Sequence, residues 1–186
     1  VVPLHSWLPD AYSKATIGGA VFMCAFTTKT AVYTLARACA GFEILVVLGV
    51  AMAIYGIVYA ILENDIRRLL GWEIISQVGY MVMGLGLAAT GDPVLAGFAL
   101  AAGILYLVHH MIVKSALLMA GGAAELEMGT GSLAPGYLGG IIGQRPALAT
   151  LFFIAAFSLA GIPPSSGFVS KLSLLESAFT SAHWLI

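Results

Sequence analysis

Charge is scarce in this sequence. Only 9% of its 186 residues are Asp, Glu, Lys or Arg, while 60% are hydrophobic, and the mean hydropathy is +0.99. A soluble domain carries about a quarter charged residues. No soluble core can use so much apolar surface, so lipid must be the solvent for part of the chain. The formal net charge of -1 removes the electrostatic case for nucleic acid. Cysteine is nearly absent. Cys24 and Cys39 have neither disulfide-framework nor metal-site spacing and read as small apolar core residues. There is no Gly-rich phosphate loop, no catalytic Ser or Cys arrangement and no redox-cofactor motif, so no cofactor and no catalytic chemistry are expected. No signal peptide is visible after Val1, and the chain runs to Trp184-Leu185-Ile186 within apolar sequence. It therefore reads as a fragment of a longer protein.

Apolar sequence is present in span-sized lengths. A membrane-crossing helix needs about 20 mostly apolar residues. Five stretches qualify: 16–38, 43–62, 66–89, 93–121 and 146–181. The expectation is all-α, a polytopic transmembrane bundle forming one membrane domain over residues 1–186. The fifth stretch is too long for one straight span. It is interrupted by Gly161-Ile162-Pro163-Pro164-Ser165-Ser166-Gly167, where paired prolines remove backbone donors and clash with the preceding turn. Unwound backbone at membrane depth needs protein or a wet cavity around it, as in the broken helices of transporters. The alternative is a short turn outside the membrane. The connections are the polar segment from Leu4 to Lys14, a charged turn from Glu63 to Arg68 that reads as solvated, the turn Gly91-Asp92-Pro93, and a Gly-rich stretch from Ala123 to Arg145 expected as a loop or short surface helix. Gly18-Gly19 and Gly121-Gly122 read as close helix packing. Lys14, Arg67, Arg68 and Arg145 fall on one side and Arg37 alone on the other, which makes the first side cytoplasmic.

The rare charges inside the apolar stretches carry the functional expectation. Lys29 lies mid-helix in Thr27-Thr28-Lys29-Thr30. A charge near the bilayer centre costs about 2.5–3.5 kcal/mol on the most lenient scale. Such a lysine must face protein or water, where it can load and unload a proton; snorkelling to an interface is the alternative. His109, His110 and Lys114 share the fourth stretch, with His110 and Lys114 four apart on one face. Histidine changes charge around physiological pH, so these residues read as a relay, beside a purely structural reading of either ring. Neighbouring helix positions diverge and no third ligand is near, so no metal is expected. Lys171 follows the Gly161–Gly167 break, where half-helix ends can hold a charge or water. A helix-end charge reaching solvent is the alternative. Glu73, Ser76, Gln77 and Tyr80 form one polar stripe, either bridging the lysine sites through water or gluing helices together. Tyr55 and Tyr59 read as interfacial anchors or packing.

Five motifs in order then point to a family. The segment Val2-Pro3-Leu4-His5-Ser6-Trp7-Leu8-Pro9-Asp10-Ala11 resembles the P-L-H-x-W-L-P-D-A segment of antiporter-like membrane subunits. Those occur in respiratory complex I and in Mrp-type sodium/proton antiporters. Thr28 to Tyr33, Asp65 to Met81, His109 to Lys114 and Leu159 to Phe168 agree as well. The His109–Lys114 and Ile74–Met81 segments most resemble the D-type subunits of Mrp antiporters. The resemblance implies a proton-translocating subunit of a multisubunit sodium/proton antiporter in a bacterial or archaeal plasma membrane. It implies other membrane subunits as partners, and protons, with Na+ in view, as substrates. Lys29 takes the place of a half-channel lysine bridging toward the centre, His110 and Lys114 the central relay, and Lys171 the ionisable group on the distal broken helix. A family Glu and Lys would lie upstream of Val1. Glu73 stands where His or a neutral residue is expected. Two alternatives stay open: a proton-pumping membrane subunit of a complex I-like or hydrogenase complex, and a purely structural membrane subunit.

Overall fold

The structure is a computed structural model and describes residues 5–89, 92–134 and 140–181. Val2, Pro3 and Leu4 of the opening motif, Gly91 of the second turn, positions 135–139 of the Gly-rich stretch and the C-terminal Trp184-Leu185-Ile186 lie outside the described residues.

The described residues are helical, with one isolated bridge between Asp65 and Ser132. Helix α1 is Leu8–Lys14. One rod follows, made of α2 (Ile17–Phe22), a π-helical turn at Met23–Thr27, and α3 (Thr28–Cys39). Then come α4 (Ile44–Leu62), α5 (Ile66–Gly86) with a 3-10 extension at Leu87–Ala89, and α6 (Pro93–Met128). The chain closes with α7 (Ile141–Gln144), α8 (Pro146–Ala160) and α9 (Ser166–Thr180). The boundaries have local causes. Thr16 caps α2 by accepting the Gly19 N–H, Asp65 accepts the N–H groups of Arg67 and Arg68, and Asp92 accepts that of Val94 with Pro93 in the first helical position.

Helices α4 and α6 are long and apolar enough to cross a membrane by length and composition, and α8 is a shorter apolar helix. In α5 the polar stripe interrupts the apolar run, and in the rod Lys29 and the π turn do. Large apolar side chains cover the outer faces: Ile44, Val47, Ile61 and Leu62 on α4 are all more than three-fifths exposed. A face like that suits lipid rather than water. Because lipid gives no hydrophobic drive between helices, close backbone approach has to hold them. The α4–α5 pair has it: a Cβ on Gly79 would lie 2.5 Å from the Gly49 carbonyl oxygen.

Three sequence expectations change. The fourth stretch does not end at Gly121 but continues as helix to Met128, because Ala123-Ala124-Glu125-Leu126-Glu127-Met128 is built of good helix formers and its glutamates are anchored. Glu125 pairs with Arg67 at 2.9 Å and Glu127 with Arg145 at 3.1 Å. The charged turn is correspondingly not a set of free solvated charges: Arg68 meets Glu63 at 3.1 Å and Asp10 at 3.5 Å, and Arg67 donates to the Ala15 carbonyl at 2.6 Å. These bonds gather the ends of α1, α5, α6 and the start of α8 at one end of the bundle. Gly18 faces open space, whereas Gly122 packs on Ile17 as expected. Tyr55 and Tyr59 form a series with Trp72, Tyr55 tilted against Tyr59 at a centroid distance of 4.6 Å and Tyr59 stacked on Trp72 at 4.8 Å, while both tyrosines keep exposed surface.

Candidate proton-relay axis

Two apolar clusters bracket a polar layer. One includes Ile74, Ile75, Leu117 and Leu118; the other includes Met81, Val82, Leu85, Tyr106 and Leu174. Between them along their helices lie Gln77 of α5 and His109, His110 and Lys114 of α6, and Glu73 of α5 lies among the first cluster's α5 residues. Lys29 approaches from α3 and Lys171 from α9.

Lys29 is 4% exposed and donates to two neutral groups, Cys24 Sγ at 3.5 Å and Thr28 Oγ1 at 3.1 Å. Lys114 is fully buried and its Nζ lies 2.5 Å from Glu73 Oε2. His110, also fully buried, has no hydrogen-bond partner on either ring nitrogen among the described residues. It sits within electrostatic reach of Lys29, Lys114, His109 and Lys171, so it is the hub of the five ionisable groups. A buried ring without a partner is uncommon, and such sites are often roomy enough for water or poised for exchange.

The far end of the layer is built by the chain break. Helix α8 stops at Ala160 with Gly161 in the left-handed region at φ 84°, and α9 restarts at Ser166. Lys171 Nζ donates to the Ala160 carbonyl at 3.1 Å, the negative end of α8, and lies 5.9 Å from the Tyr80 ring centroid. Gly167 packs directly on α8, where a Cβ would collide with the Ser158 carbonyl oxygen. That contact sets Ser166 beside α6, and His109 Nδ1 lies 3.1 Å from its hydroxyl. Pro163 and Pro164 lie in the intervening turn, joined by a cis peptide bond.

The polar stripe divides. Glu73, Gln77 and Tyr80 turn to α6 and α9: Glu73 to Lys114, Gln77 to the Tyr106 hydroxyl, and Tyr80 to the Tyr106 ring at 6.0 Å and to Lys171. Ser76 turns the other way and donates to the Ala53 carbonyl of α4 at 2.9 Å, so it is interhelical glue. Among the described residues no group of three or more His, Cys, Asp and Glu side chains converges as a metal site would.

Three participants go beyond the sequence reading. Tyr106 is fully buried, donates to Gln77 and lies 6.2 and 6.5 Å from the rings of His109 and His110. Its spacing of four before His110 is the signal that could have found it. Cys24 is not merely a core residue, since it accepts from Lys29. Ser166 joins His109 to the break.

Comparison with known proteins agrees with this architecture. The family described as NADH:quinone oxidoreductase/Mrp antiporter, TM, matches residues 1–186. The chain is 39% identical to the D-type subunit of the Na(+)/H(+) antiporter of Alkalihalophilus pseudofirmus, over 99% of this chain and 37% of that protein. It is 32% identical to the N-type subunit of the NADH-quinone oxidoreductase of Desulforudis audaxviator, over 98% of this chain and 37% of that protein. Among solved structures, a component of the Mrp complex from Dietzia sp. DQ12-45-1b superposes with a TM-score of 0.89 at 39% identity, covering 98% of this chain and 34% of that one. The chain thus spans less than two-fifths of the length of these relatives.

Proposed function

The chain belongs to the NADH:quinone oxidoreductase/Mrp antiporter family, and from that premise we propose that it is a section of the proton-translocating subunit of a multisubunit sodium/proton antiporter. Protons are relayed along Lys29, His109, His110, Lys114 and Lys171 through intervening water. The observation that carries this reading is the fully buried His110, without hydrogen bonds on its ring and in electrostatic reach of all three lysines. Ionisable groups at that depth are expensive to keep and are functional by default. A tighter identity with an antiporter subunit than with the NADH-quinone oxidoreductase subunit favours exchange over redox coupling.

In this reading the domain is one polytopic unit with five spans: the α2–α3 rod, α4, α5, α6, and α8–α9 as a single discontinuous span broken at Gly161–Gly167. Helices α8 and α9 have 15 residues each, about 22 Å at 1.5 Å per residue, which is short for a hydrocarbon core of about 30 Å. The ion-paired end holding Arg67, Arg68 and Arg145 faces the cytoplasm, in a bacterial or archaeal plasma membrane. Other membrane subunits complete the complex. The chain itself is a transporter section without catalytic chemistry of its own.

Lys29→Ala and Lys171→Ala, made in the full-length subunit within its complex, should abolish proton-coupled sodium exchange in inverted vesicles while the complex assembles in normal amount. Normal exchange in both overturns the relay. Subunits that co-purify with redox centres, rather than further antiporter subunits, would move the function to a redox-driven pump.

A further inference from the structure

Among the described residues, the five relay groups share a single carboxylate contact, Glu73 Oε2 to Lys114 Nζ at 2.5 Å. Lys114 is fully enclosed, while the Glu73 side chain keeps 21% of its surface exposed. The pair therefore has an inner and an outer member. Lys114 also has a second neighbour able to take its proton. His110 is one turn earlier on the same face of α6, interacts electrostatically with Lys114, and has no hydrogen bond on either ring nitrogen. The other titratable groups turned toward the pair are Tyr106 on α6, Lys29 on α3 and Lys171 on α9.

We propose that Glu73 is the latch of the central lysine, an inference that rests on the relay reading above. Ionised, Glu73 holds the Lys114 ammonium against α5 and away from His110. A proton arriving at Glu73 forms an O–H bond there, turns the carboxylate into a carboxylic acid and opens the ion pair. The freed ammonium then breaks one N–H bond and hands that proton to a ring nitrogen of His110, where a new N–H bond forms. The trio gains one positive charge, that of the arriving proton. When His110 passes its proton onward, the neutral Lys114 amine takes the proton from Glu73 and the ion pair re-forms. One proton has crossed from the outer to the inner member and on to the hub, and no step needs an oxidant, a metal or a cofactor.

The full-length subunit in its assembled complex provides the test, with proton-driven sodium exchange followed in inverted vesicles. Glu73→Gln should slow exchange at least tenfold at normal complex abundance. Glu73→Asp, which keeps the carboxylate, should retain at least about a third of the rate. Glu73→Gln combined with Lys114→Gln should be no slower than the slower single variant, as two halves of one step require. Exchange within twofold of wild type in Glu73→Gln overturns the latch, as does a double variant whose losses multiply. Should Glu73→Gln fail to assemble, pH-jump infrared difference spectra of the wild-type complex decide. A carboxylic acid stretch that shifts in Glu73→Asp supports the latch, and its absence overturns it. Lys29→Gln measured in parallel separates the two readings. If it and Glu73→Gln both exchange normally, the relay itself falls; if only Glu73→Gln does, the latch alone falls.

Discussion

Lys29 and Lys114 are both buried lysines in apolar helices, and the protein surrounds them in opposite ways. Lys29 donates to a thiol and a hydroxyl, both neutral and both from its own helical rod. Lys114 donates to a carboxylate on a neighbouring helix, 41 residues away in the chain. The first arrangement leaves the ammonium's charge uncompensated by its contacts and leaves the rod free of a cross-link. The second balances the charge and ties α5 to α6. One lysine is thus a loosely held station and the other a locked one. Burial alone, the feature they share, would not distinguish them.

The contrast predicts opposite responses to the same substitution. Lys114→Met strands the Glu73 carboxylate in a mostly buried site, and breaking a buried pair on one side costs about 3–5 kcal/mol. Because Glu73 is 21% exposed, the loss should lie at the lower end, about 3 kcal/mol. Lys29→Met strands only a thiol and a hydroxyl, each able to lose one hydrogen bond, so about 1 kcal/mol or a slight gain is expected. Thermal unfolding of the purified complexes checks this: Lys114→Met should melt clearly below wild type and Lys29→Met close to it. Equal melting temperatures would erase the distinction.

The two stations also differ in how far they can be read from residues alone. A lysine in the middle of an apolar helix is a one-dimensional signal, and so is the four-residue spacing of His110 and Lys114. Both show in the sequence because lipid makes a lone charge conspicuous. The helical class is legible for the same reason. The partners are not. Glu73 and Lys114 meet only after α5 and α6 have packed, and nothing local in either segment announces the other. Cys24 reads as a core residue because it is small, lies in an apolar run and has no disulfide or metal spacing, and its partner Lys29 is five residues on. Five α-helical residues leave side chains about 140° apart. The π turn at Met23–Thr27, with its i to i+5 bonding, swings them onto one face, and Met-Cys-Ala-Phe-Thr carries no pattern that predicts it. The end of α6 is hidden by the reverse effect. The apolar stretch thins out after Gly121, while the ion pairs that carry the helix on to Met128 come from Arg67 and Arg145 elsewhere in the chain.

A smaller effect should separate the locked centre from its route to Lys171. Tyr106 donates to Gln77, and its ring lies 6.0 Å from that of Tyr80, beside which Lys171 sits. Tyr106→Phe keeps the ring and deletes the hydroxyl, leaving the Gln77 oxygen without that donor at a cost of about 1–3 kcal/mol. If that bond strengthens in the transfer step by about 1.4 kcal/mol, exchange should slow about tenfold without it. Wild-type exchange in Tyr106→Phe would mean that the centre communicates with Lys171 only through His109 and the Ser166 contact at 3.1 Å.

The smallest expected effect tests the looser station directly. If the thiol serves Lys29 only as a neutral acceptor held in place by the π turn, then chemistry at position 24 matters less than the presence of a lone pair. Cys24→Ser keeps an acceptor of similar reach and should exchange at the wild-type rate. Cys24→Ala removes one modest hydrogen bond, worth about 0.5–1 kcal/mol. That corresponds to a roughly two- to fivefold slower exchange if the bond is stronger in the step than at rest. Neither variant should lower the melting temperature by more than about a degree or two, because no charge is stranded. A tenfold loss in Cys24→Ser would show that the thiol does something an alcohol cannot, and Lys29 would then be as tightly specified as Lys114.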